Sequence, residues 1–378
     1  MPQTQSPAPG NRCRGPYFRE RARTKTLGRG VSSVLMLRYN LLRKAALLLA
    51  ASLAAPAARA QDVYFSQPFA TRLHANPAFA GLLDDYSATL SFRTQLPTLA
   101  GSFDSAGAAA DWRPDVPGRH HALGLLIDQD QAGAVGYTRL EARALYAYHT
   151  RLTRQVALSG GLGAGYGRQR VGYDNFTFGD QISPDGRLTS PSAESLDFAP
   201  LNYFSVGSGL VLYSDQAWLS LAGQHLNQPS LGFRQQSRLP LLLNVSGGYK
   251  FFVTKPGPGT ATRELSYTPV AAYSQQGGSR RLEAGLYFTA SPVTLGAVYR
   301  NLFGDARVGP QQLLALVAGV SAGGLRLGYS YDVGLSRLSA DLGGAHEITL
   351  AIRAFDTLEN AYQRIRRRNY PIAPCPAF

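Results

Sequence analysis

The chain has 378 residues, 44% of them hydrophobic and 16% charged, with a formal net charge of +14. This hydrophobic content argues against an intrinsically disordered chain, and the length is sufficient for a large folded unit. The charge is concentrated at the two ends: residues 1–60 hold eleven Lys and Arg against one acid, and residues 353–378 hold five Arg against two acids. Residues 61–352 hold 22 bases and 21 acids, so no extended basic surface for nucleic acid is predicted.

Residues 1–60 have the pattern of a leader, with a signal peptide at about 36–60. A basic n-region contains Arg38, Arg43 and Lys44, and an apolar stretch of eleven residues follows at 45–55. A small-residue cleavage site, Ala58-Arg59-Ala60, completes the pattern. We therefore expect Sec-type export with cleavage near Ala60. Because Met36 is a plausible start, residues 1–35 are a possible start-site extension.

The cysteine count limits how the exported chain can be stabilised. Cys13 lies in the leader, so Cys375 is the single thiol expected in the mature chain. An internal disulfide and a cysteine-based structural zinc site are therefore both excluded. The mature chain must rely on its own packing or on a membrane.

The mature sequence is dominated by alternation of apolar and polar residues, as residues 241–250 and 325–332 illustrate. No stretch approaches 18 consecutive apolar residues, so transmembrane helices are not expected. We predict fourteen strands, or twelve if the weakly patterned first three are discounted. They lie near 87–93, 101–112, 121–129, 138–149, 155–166, 202–213, 216–224, 241–252, 265–274, 280–290, 292–301, 312–321, 323–333 and 345–354.

The length and composition of these strands favour an all-β fold, namely a transmembrane antiparallel β-barrel of the bacterial outer membrane. Nine to eleven residues is the length that a tilted strand needs to cross a membrane, and Tyr and Phe cluster near the strand ends. A soluble β-protein is the alternative. An even strand count places both chain ends in the periplasm, with 61–86 as an N-terminal periplasmic or plug segment, 87–354 as the barrel and 355–378 as a basic, Pro-rich periplasmic tail.

The connections between strands show the expected turn residues. Gly277-Gly278, Gly323-Gly324 and Ser214-Asp215 are short enough to close hairpins. The longest gap, 167–201, is polar and is predicted to be an extracellular loop. Residues 255–260 form a second, Pro/Gly-rich loop.

No motif in the sequence argues for catalysis, for a cofactor or for a metal. The glycines at every second position of 161–167 have the period of a strand that packs inside a barrel, not of a phosphate loop. Residues 128–133 begin like a calcium loop but place Arg139 at the twelfth position, so a solvated turn is expected. His120-His121 lack nearby ligand partners, and no nucleophile elbow singles out a Ser-His-Asp set.

Several short motifs are more specific. The mature N-terminus contains a Phe-Ser-Gln segment followed by Asn-Pro-Ala-Phe-Ala-Gly, and further motifs occur at 92–95, 217–229, 325–332, 344–350 and 375–378. Together they resemble the PorP/SprF family of type IX secretion system membrane proteins, although Leu96 stands where that family usually has Trp. The residues that carry the resemblance are Phe65, Ser66, Gln67, Asn76, Pro77, Gly81, Arg93, Gln95, Tyr329, Tyr331, Asp332, His346, Glu347, Cys375, Pro376 and Phe378.

Physical considerations give these residues structural roles rather than ligand-binding ones. Asn76-Pro77 favours a turn in a segment that enters the barrel, and Tyr329 and Tyr331 are expected to face lipid while Asp332 faces the lumen or a turn.

The resemblance implies an outer-membrane protein that assists secretion or surface attachment of particular cargo proteins, adhesins included, in systems that also serve gliding motility. The implied partners are outer-membrane lipid, secreted cargo and periplasmic components of the machinery. A non-enzymatic docking barrel is the interpretation that we favour. A porin or hydrophobic-solute channel is the alternative, and an outer-membrane enzyme is a third class.

Overall fold

The computed structural model describes residues 62–83, 86–97, 102–113, 120–132, 136–172, 181–182, 199–231, 238–255, 263–303, 311–322, 324–335 and 343–353. The predicted leader, the predicted tail with Cys375, Pro376 and Phe378, and most of the predicted loop 167–201 lie outside these residues.

The described strands form one closed antiparallel barrel. Each strand pairs with its neighbours in sequence, and the circle closes where β1 pairs with β15. β8 and β9 both pair with β10 and form one membrane crossing interrupted at Lys250, so the barrel has fourteen strands, as predicted. The strands are β1 Tyr86–Gln95, β2 Phe103–Trp112, β3 His121–Ala132, β4 Tyr137–Arg151, β5 Ala157–Val171, β6 Leu201–Tyr213, β7 Ala217–Gln224, β8 Leu242–Tyr249, β9 Phe251–Thr254, β10 Leu265–Gln276, β11 Ser279–Ala290, β12 Val293–Phe303, β13 Gln311–Ala322, β14 Leu325–Gly334 and β15 Ala345–Arg353.

Alternation places polar side chains inside the barrel and apolar ones outside. In β1 the exposed residues include Leu90 and Phe92, which are 57% and 53% exposed, whereas Ser91 and Arg93, which alternate with them, are buried. Burial of polar groups and exposure of large apolar ones is the inverse of a soluble protein, and it is stable only where lipid surrounds the outer face. The outward residues of the other strands follow the same rule.

The sequence predictions were wrong at the end of the fifth strand and at Asp128. The fifth strand does not end at 166 but continues to Val171, because its alternation persists through the polar residues Arg168 and Arg170, which point away from the lumen. Asp128 lies not in a solvated turn but within β3, where its buried side chain points into the barrel. In both places charged residues were interpreted as loop, although a barrel strand accommodates them, on its inner face at Asp128 and on its outer face near the strand end at Arg168 and Arg170.

Residues 62–83, the lumen segment, precede β1 and lie inside the barrel. They contain a four-residue helix, α1 (Arg72–Ala75), and a 3-10 helix at Pro77–Phe79. No helix in the described part of the chain is long and apolar enough to cross a membrane. We call the end of the barrel where β1 begins and β15 ends the terminal end, and the opposite end the far end.

The lumen segment spans most of the height of the barrel. Its last residues pack near the terminal end, against a cluster of buried apolar side chains from β3 to β7 that includes Leu126, Leu145 and Trp218. Its first residue, Asp62, donates its backbone N–H to Gln276, the residue at the far end of β10. The apolar half of the lumen therefore lies at the terminal end and the charged half towards the far end.

Candidate functional site in the barrel lumen

The candidate site is the set of contacts between the lumen segment and the inner wall. Among them are contacts that join motifs from the two ends of the sequence. Glu347 of β15 accepts the backbone N–H of Ser66 and, at 3.0 Å, that of Gln67. The Gln67 side chain accepts from the Thr349 hydroxyl at 2.6 Å. The Phe-Ser-Gln motif is thus bound directly to the last strand of the barrel.

Two arginines complete this cluster. Arg93 of β1 contacts Asp332 of β14 at 2.8 Å and Glu347 at 3.5 Å, and it also bonds the Ser66 hydroxyl. Arg300 of β12 contacts the same Asp332 carboxylate at 2.9 Å and donates to the Ser66 carbonyl at 2.9 Å. All five side chains are buried. Buried charges are tolerated when they are paired in this way, and removal of one partner is costly.

Tyr64 lies at the far side of the same cluster. Its hydroxyl donates to Glu283 of β11, and its ring packs 3.4 Å from the guanidinium carbon of Arg281 and 5.0 Å from that of Arg300. Burial, supported by the nearby Glu283, raises the pKa of the Tyr64 phenol well above its usual value, so Tyr64 remains a neutral hydrogen-bond donor.

Asp62 anchors the start of the segment to the opposite wall. Its carboxylate pairs with Arg139 of β4 and lies 2.5 Å from Nε2 of His225, while Gln276 donates to it at 3.1 Å. Burial alone would raise the pKa of Asp62, but Arg139 and His225 outweigh burial and hold the pKa well below its usual range. Asp62 is therefore ionised.

The middle of the segment is held by two further side-chain contacts with the wall. Arg72 contacts Asp111 of β2 at 2.8 Å, and the second oxygen of that carboxylate accepts the backbone N–H of Gly81 at 2.7 Å. Gly81 has φ +64°, a conformation that favours glycine, and a Cβ there would lie 2.6 Å from Cβ of Ala122. His74 contacts Asp128 of β3.

Asn76 and Pro77 fit into space left by glycines of the wall. The Asn76 side chain caps the 3-10 helix by accepting from Ala78 N at 2.8 Å and donates to Ser220 of β7 at 2.8 Å. It also donates to the carbonyls of two neighbouring wall residues at 3.1 Å. A Cβ on Gly161 would lie 2.6 Å from the Ala78 Cα, so the glycine of β5 is what admits the turn.

Other residues singled out from the sequence are not part of this contact set. Tyr329 is 44% exposed on the outer face and its hydroxyl lies 2.8 Å from Nδ1 of His346; the Tyr331 ring also packs against His346. Gln95 lines the wall of a cavity at the far end. Sequence reasoning missed Arg72, Asp111, Arg139, Arg300 and Glu283. For the four strand residues the signal was a charged side chain at an inward position of an alternating strand, whereas Arg72 lies in the helix of the lumen segment and had no such signal.

Within the described residues, no group of three or more His, Cys, Asp or Glu side chains is placed to hold a metal ion. The structure does align Ser205, His225 and Asp62: the Ser205 hydroxyl lies 2.7 Å from Nδ1 of His225, whose Nε2 contacts Asp62. The cavity beside Ser205 has a volume of about 10 Å³, which admits no more than about one water molecule. The arrangement therefore offers no room for a substrate and serves as a hydrogen-bond relay that holds Asp62.

Comparison with known proteins decides the family. The sequence model of the type IX secretion system membrane protein PorP/SprF matches residues 57–352. The chain belongs to the PorP/SprF family. The recognition made from the sequence motifs is thereby confirmed, and the protein is an outer-membrane barrel component of the type IX secretion system that associates with the membrane and the machinery. The PorP/SprF family is not a known enzyme family.

The chain also resembles several solved structures at low similarity. The toluene transporter TbuX of Ralstonia pickettii is 12% identical with a TM-score of 0.43, over 74% of this chain and 92% of that one. The toluene transporter TodX of P. putida is 9% identical with a TM-score of 0.44, over 75% and 94%. CdiB from Acinetobacter baumannii is 9% identical with a TM-score of 0.39, over 72% and 60%. No curated protein matches the sequence of this PorP/SprF protein.

Proposed function

We propose that this PorP/SprF protein is a non-enzymatic docking barrel that assists the secretion or surface attachment of specific cargo proteins, adhesins included. The observation that carries the proposal is the filled lumen. Residues 62–83 occupy the interior and are bonded to strands on all sides of the wall, from Asp332 and Glu347 to Arg139 and Ser220. A barrel whose interior is occupied in this way is suited to presenting surfaces rather than to conducting solutes.

The orientation of the barrel follows from its connections. At the terminal end the strands are joined by short links such as 214–216 and 291–292, whereas the far end carries the longest ones, 172–200 and 225–241. Outer-membrane barrels keep short turns in the periplasm and long loops outside. The far end is therefore extracellular in this proposal, and the loops there contact cargo.

The first test is deletion of the gene followed by comparison of the secreted and surface proteomes. Loss of a small set of large surface proteins, restored by the wild-type gene, is the expected result. Unchanged proteomes together with a defect in small-solute uptake would contradict the docking function and favour the alternative, a porin or hydrophobic-solute channel.

A second test addresses conduction directly. Purified protein in a planar bilayer is expected to show no steady ion-selective current, because the lumen segment fills the interior. A matched variant lacking residues 62–75 retains the apolar packing of 77–83 and is expected to conduct. Steady currents from the unmodified protein would count against a purely docking barrel.

The basic tail, residues 355–378, is proposed to contact periplasmic components of the machinery. Replacement of Arg364, Arg366, Arg367 and Arg368 by Gln removes four positive charges without shortening the chain. We expect the barrel to assemble normally and co-purification of machinery proteins to fall. Equal recovery of those proteins with the unmodified and substituted tails would rule out an electrostatic contact.

A further inference from the structure

A cavity of about 790 Å³ opens at the far end of the barrel, above the lumen segment, and we call it the vestibule. Asp62, Val63 and Tyr64 line its inner end, so the start of the lumen segment forms its floor. Its walls include Phe103, Ser105 and Asp130 together with two arginines, Arg93 and Arg170. A volume of several hundred Å³ with a few polar groups is typical of a binding site.

One wall of the vestibule carries a carboxylate without an ion-pair partner. Asp130 of β3 accepts a hydrogen bond from Ser105 at 2.6 Å, and among the described residues it forms no ion pair within 4.0 Å. The arginines that line the vestibule or lie below it are already engaged. Arg93 pairs with Asp332 and Glu347, and Arg170 also has a partner. Arg139 pairs with Asp62 and Glu141, and Arg143 pairs with Asp128 and Glu141. Among the described residues, Asp130 is therefore the carboxylate of this wall that has no ion-pair partner. This wall favours a cation.

An apolar surface lies directly beside that carboxylate. Phe103 of β2 is 40% exposed although its side chain faces the vestibule. In the β2–β3 register Ser105 is opposite Asp130 and Phe103 is opposite Ala132, so the ring and the carboxylate are diagonal neighbours on the inner face. A ligand that binds here meets an aromatic ring and a negative charge a few ångströms apart.

The floor of the vestibule offers backbone hydrogen-bonding groups. Among the described residues, the backbone N–H and C=O groups of Val63 and Tyr64 have no hydrogen-bond partner. Neither residue belongs to a helix or a strand. Unpaired backbone groups in a cleft are what an extended peptide uses when it adds alongside another chain segment.

We infer that the vestibule binds an extended peptide segment that carries a Lys or Arg side chain next to an apolar residue. The cation contacts Asp130, the apolar residue packs on Phe103, and the peptide backbone bonds to Val63 and Tyr64. The inference rests on the proposed docking function, and it assigns the chemistry of the cargo segment that is recognised.

The test uses a probe that does not depend on knowing the cargo. A library of fluorescent hexapeptides, with Lys, Glu or Gln fixed at each position in turn, is titrated against the full mature protein in lipid nanodiscs. We expect the tightest pools to have Lys fixed at one position, with binding about tenfold weaker when Glu or Gln replaces it, as for loss of one charge-assisted hydrogen bond. No preference for Lys over Glu at any position would overturn the inference.

Matched variants locate the binding site. Asp130→Asn is expected to abolish the preference for Lys, whereas Asp104→Asn, on the neighbouring strand but bonded to Thr94 on the outer face, is expected to keep it. Phe103→Ala is expected to weaken binding, whereas Phe92→Ala, a lipid-facing aromatic, is not. Binding that survives Asp130→Asn unchanged in a folded, heat-modifiable barrel would place the site elsewhere.

Two controls separate the possible failures. Displacement of the peptide by N-acetyl-lysine methylamide at the same concentration would show that the site recognises a cation alone, and the peptide inference would fail. If the deletion strain keeps a normal surface proteome while the library still selects Lys through Asp130, the docking function fails but the vestibule site stands. If the deletion strain loses surface proteins but the library shows no Lys preference, the vestibule inference fails and the docking function stands.

Discussion

A single added methyl group inside the barrel tests whether the turn at Asn76-Pro77 is seated as described. Gly160 and Gly161 are adjacent in β5, so side chains introduced at the two positions would point to opposite faces of the barrel wall. A Cβ on Gly161 would lie 2.6 Å from the Ala78 Cα, whereas the nearest contact of a Cβ on Gly160 is the Leu210 side chain at 3.6 Å. Gly161→Ala and Gly160→Ala are therefore a matched pair with the same chemical change and opposite surroundings.

The two substitutions are expected to change the free energy of unfolding in opposite directions. Replacing glycine by alanine within a strand gains roughly 0.5–1 kcal/mol from the reduced freedom of the unfolded chain. Gly160→Ala should show this gain, because its new methyl group meets only an ordinary contact. Gly161→Ala must displace backbone atoms of the 3-10 helix, and overpacking of this kind costs about 1–3 kcal/mol. The net effect expected for Gly161→Ala is a loss of stability of about 0–2.5 kcal/mol.

The assay is reversible urea unfolding of the mature protein in lipid vesicles, with the change in midpoint converted by the measured slope. Displacement of the turn is followed in parallel by thiol labelling of an Ala78→Cys reporter in a Cys375→Ser background. We expect the reporter to be protected in Gly160→Ala and labelled faster in Gly161→Ala. Equal midpoints and equal protection in the two variants would refute the placement of the 3-10 helix against β5.

Three further predictions concern the polar contacts. Asn76→Ala leaves buried acceptors without a donor and should cost about 1–3 kcal/mol in urea unfolding, whereas Asn227→Ala, an exposed site, should be near neutral. Arg300→Met leaves two buried carboxylates without their shared partner and should cost about 3–5 kcal/mol, provided the barrel still assembles, as judged by heat-modifiable gel mobility. The pKa of Asp62 is lower in the folded protein than its ordinary value of 3.8. The pairing with Arg139 therefore stabilises the barrel fully at pH values above 3.8 and progressively less as the pH falls below 3.8. Asp62→Asn should lack this acid-dependent loss of stability between about pH 5 and 2.

Much of the fold could be predicted from the sequence because alternation in a membrane barrel is a local signal. All fourteen predicted strands correspond to observed ones, with ends that differ by a few residues, and the short connection at Gly277-Gly278 is present. The strand at 241–252 was predicted as continuous, whereas Lys250 interrupts it. Lys250 makes an ion pair with Glu264, a partner fourteen residues away that alternation does not reveal.

The contacts of the candidate site could not be predicted in the same way. The sequence motifs identified Ser66 and Gln67 at one end of the chain and Asp332 and Glu347 at the other, but their separation of more than 260 residues gave no indication that they touch. Only closure of the barrel brings these residues together. The inward position of Arg300 was readable from alternation, but its partners were not, because a polar inner face alone does not say which charges pair.

The location of the motif cluster explains what these residues achieve together. In any barrel closed by antiparallel neighbours, the pairing of first and last strands is the one contact made between the most distant parts of the chain, and it carries the largest loss of chain entropy. Here Arg93 of β1, Asp332 of β14 and Glu347 of β15 lie at that seam, and Ser66 and Gln67 bond to them from inside. Because residues 66–67 are joined to β1 through the rest of the lumen segment, the segment links the first strand to the last two by ion pairs and hydrogen bonds in addition to the backbone ladder. Filling of the lumen and closure of the seam are thus achieved by the same few side chains, so a substitution at Glu347 affects both.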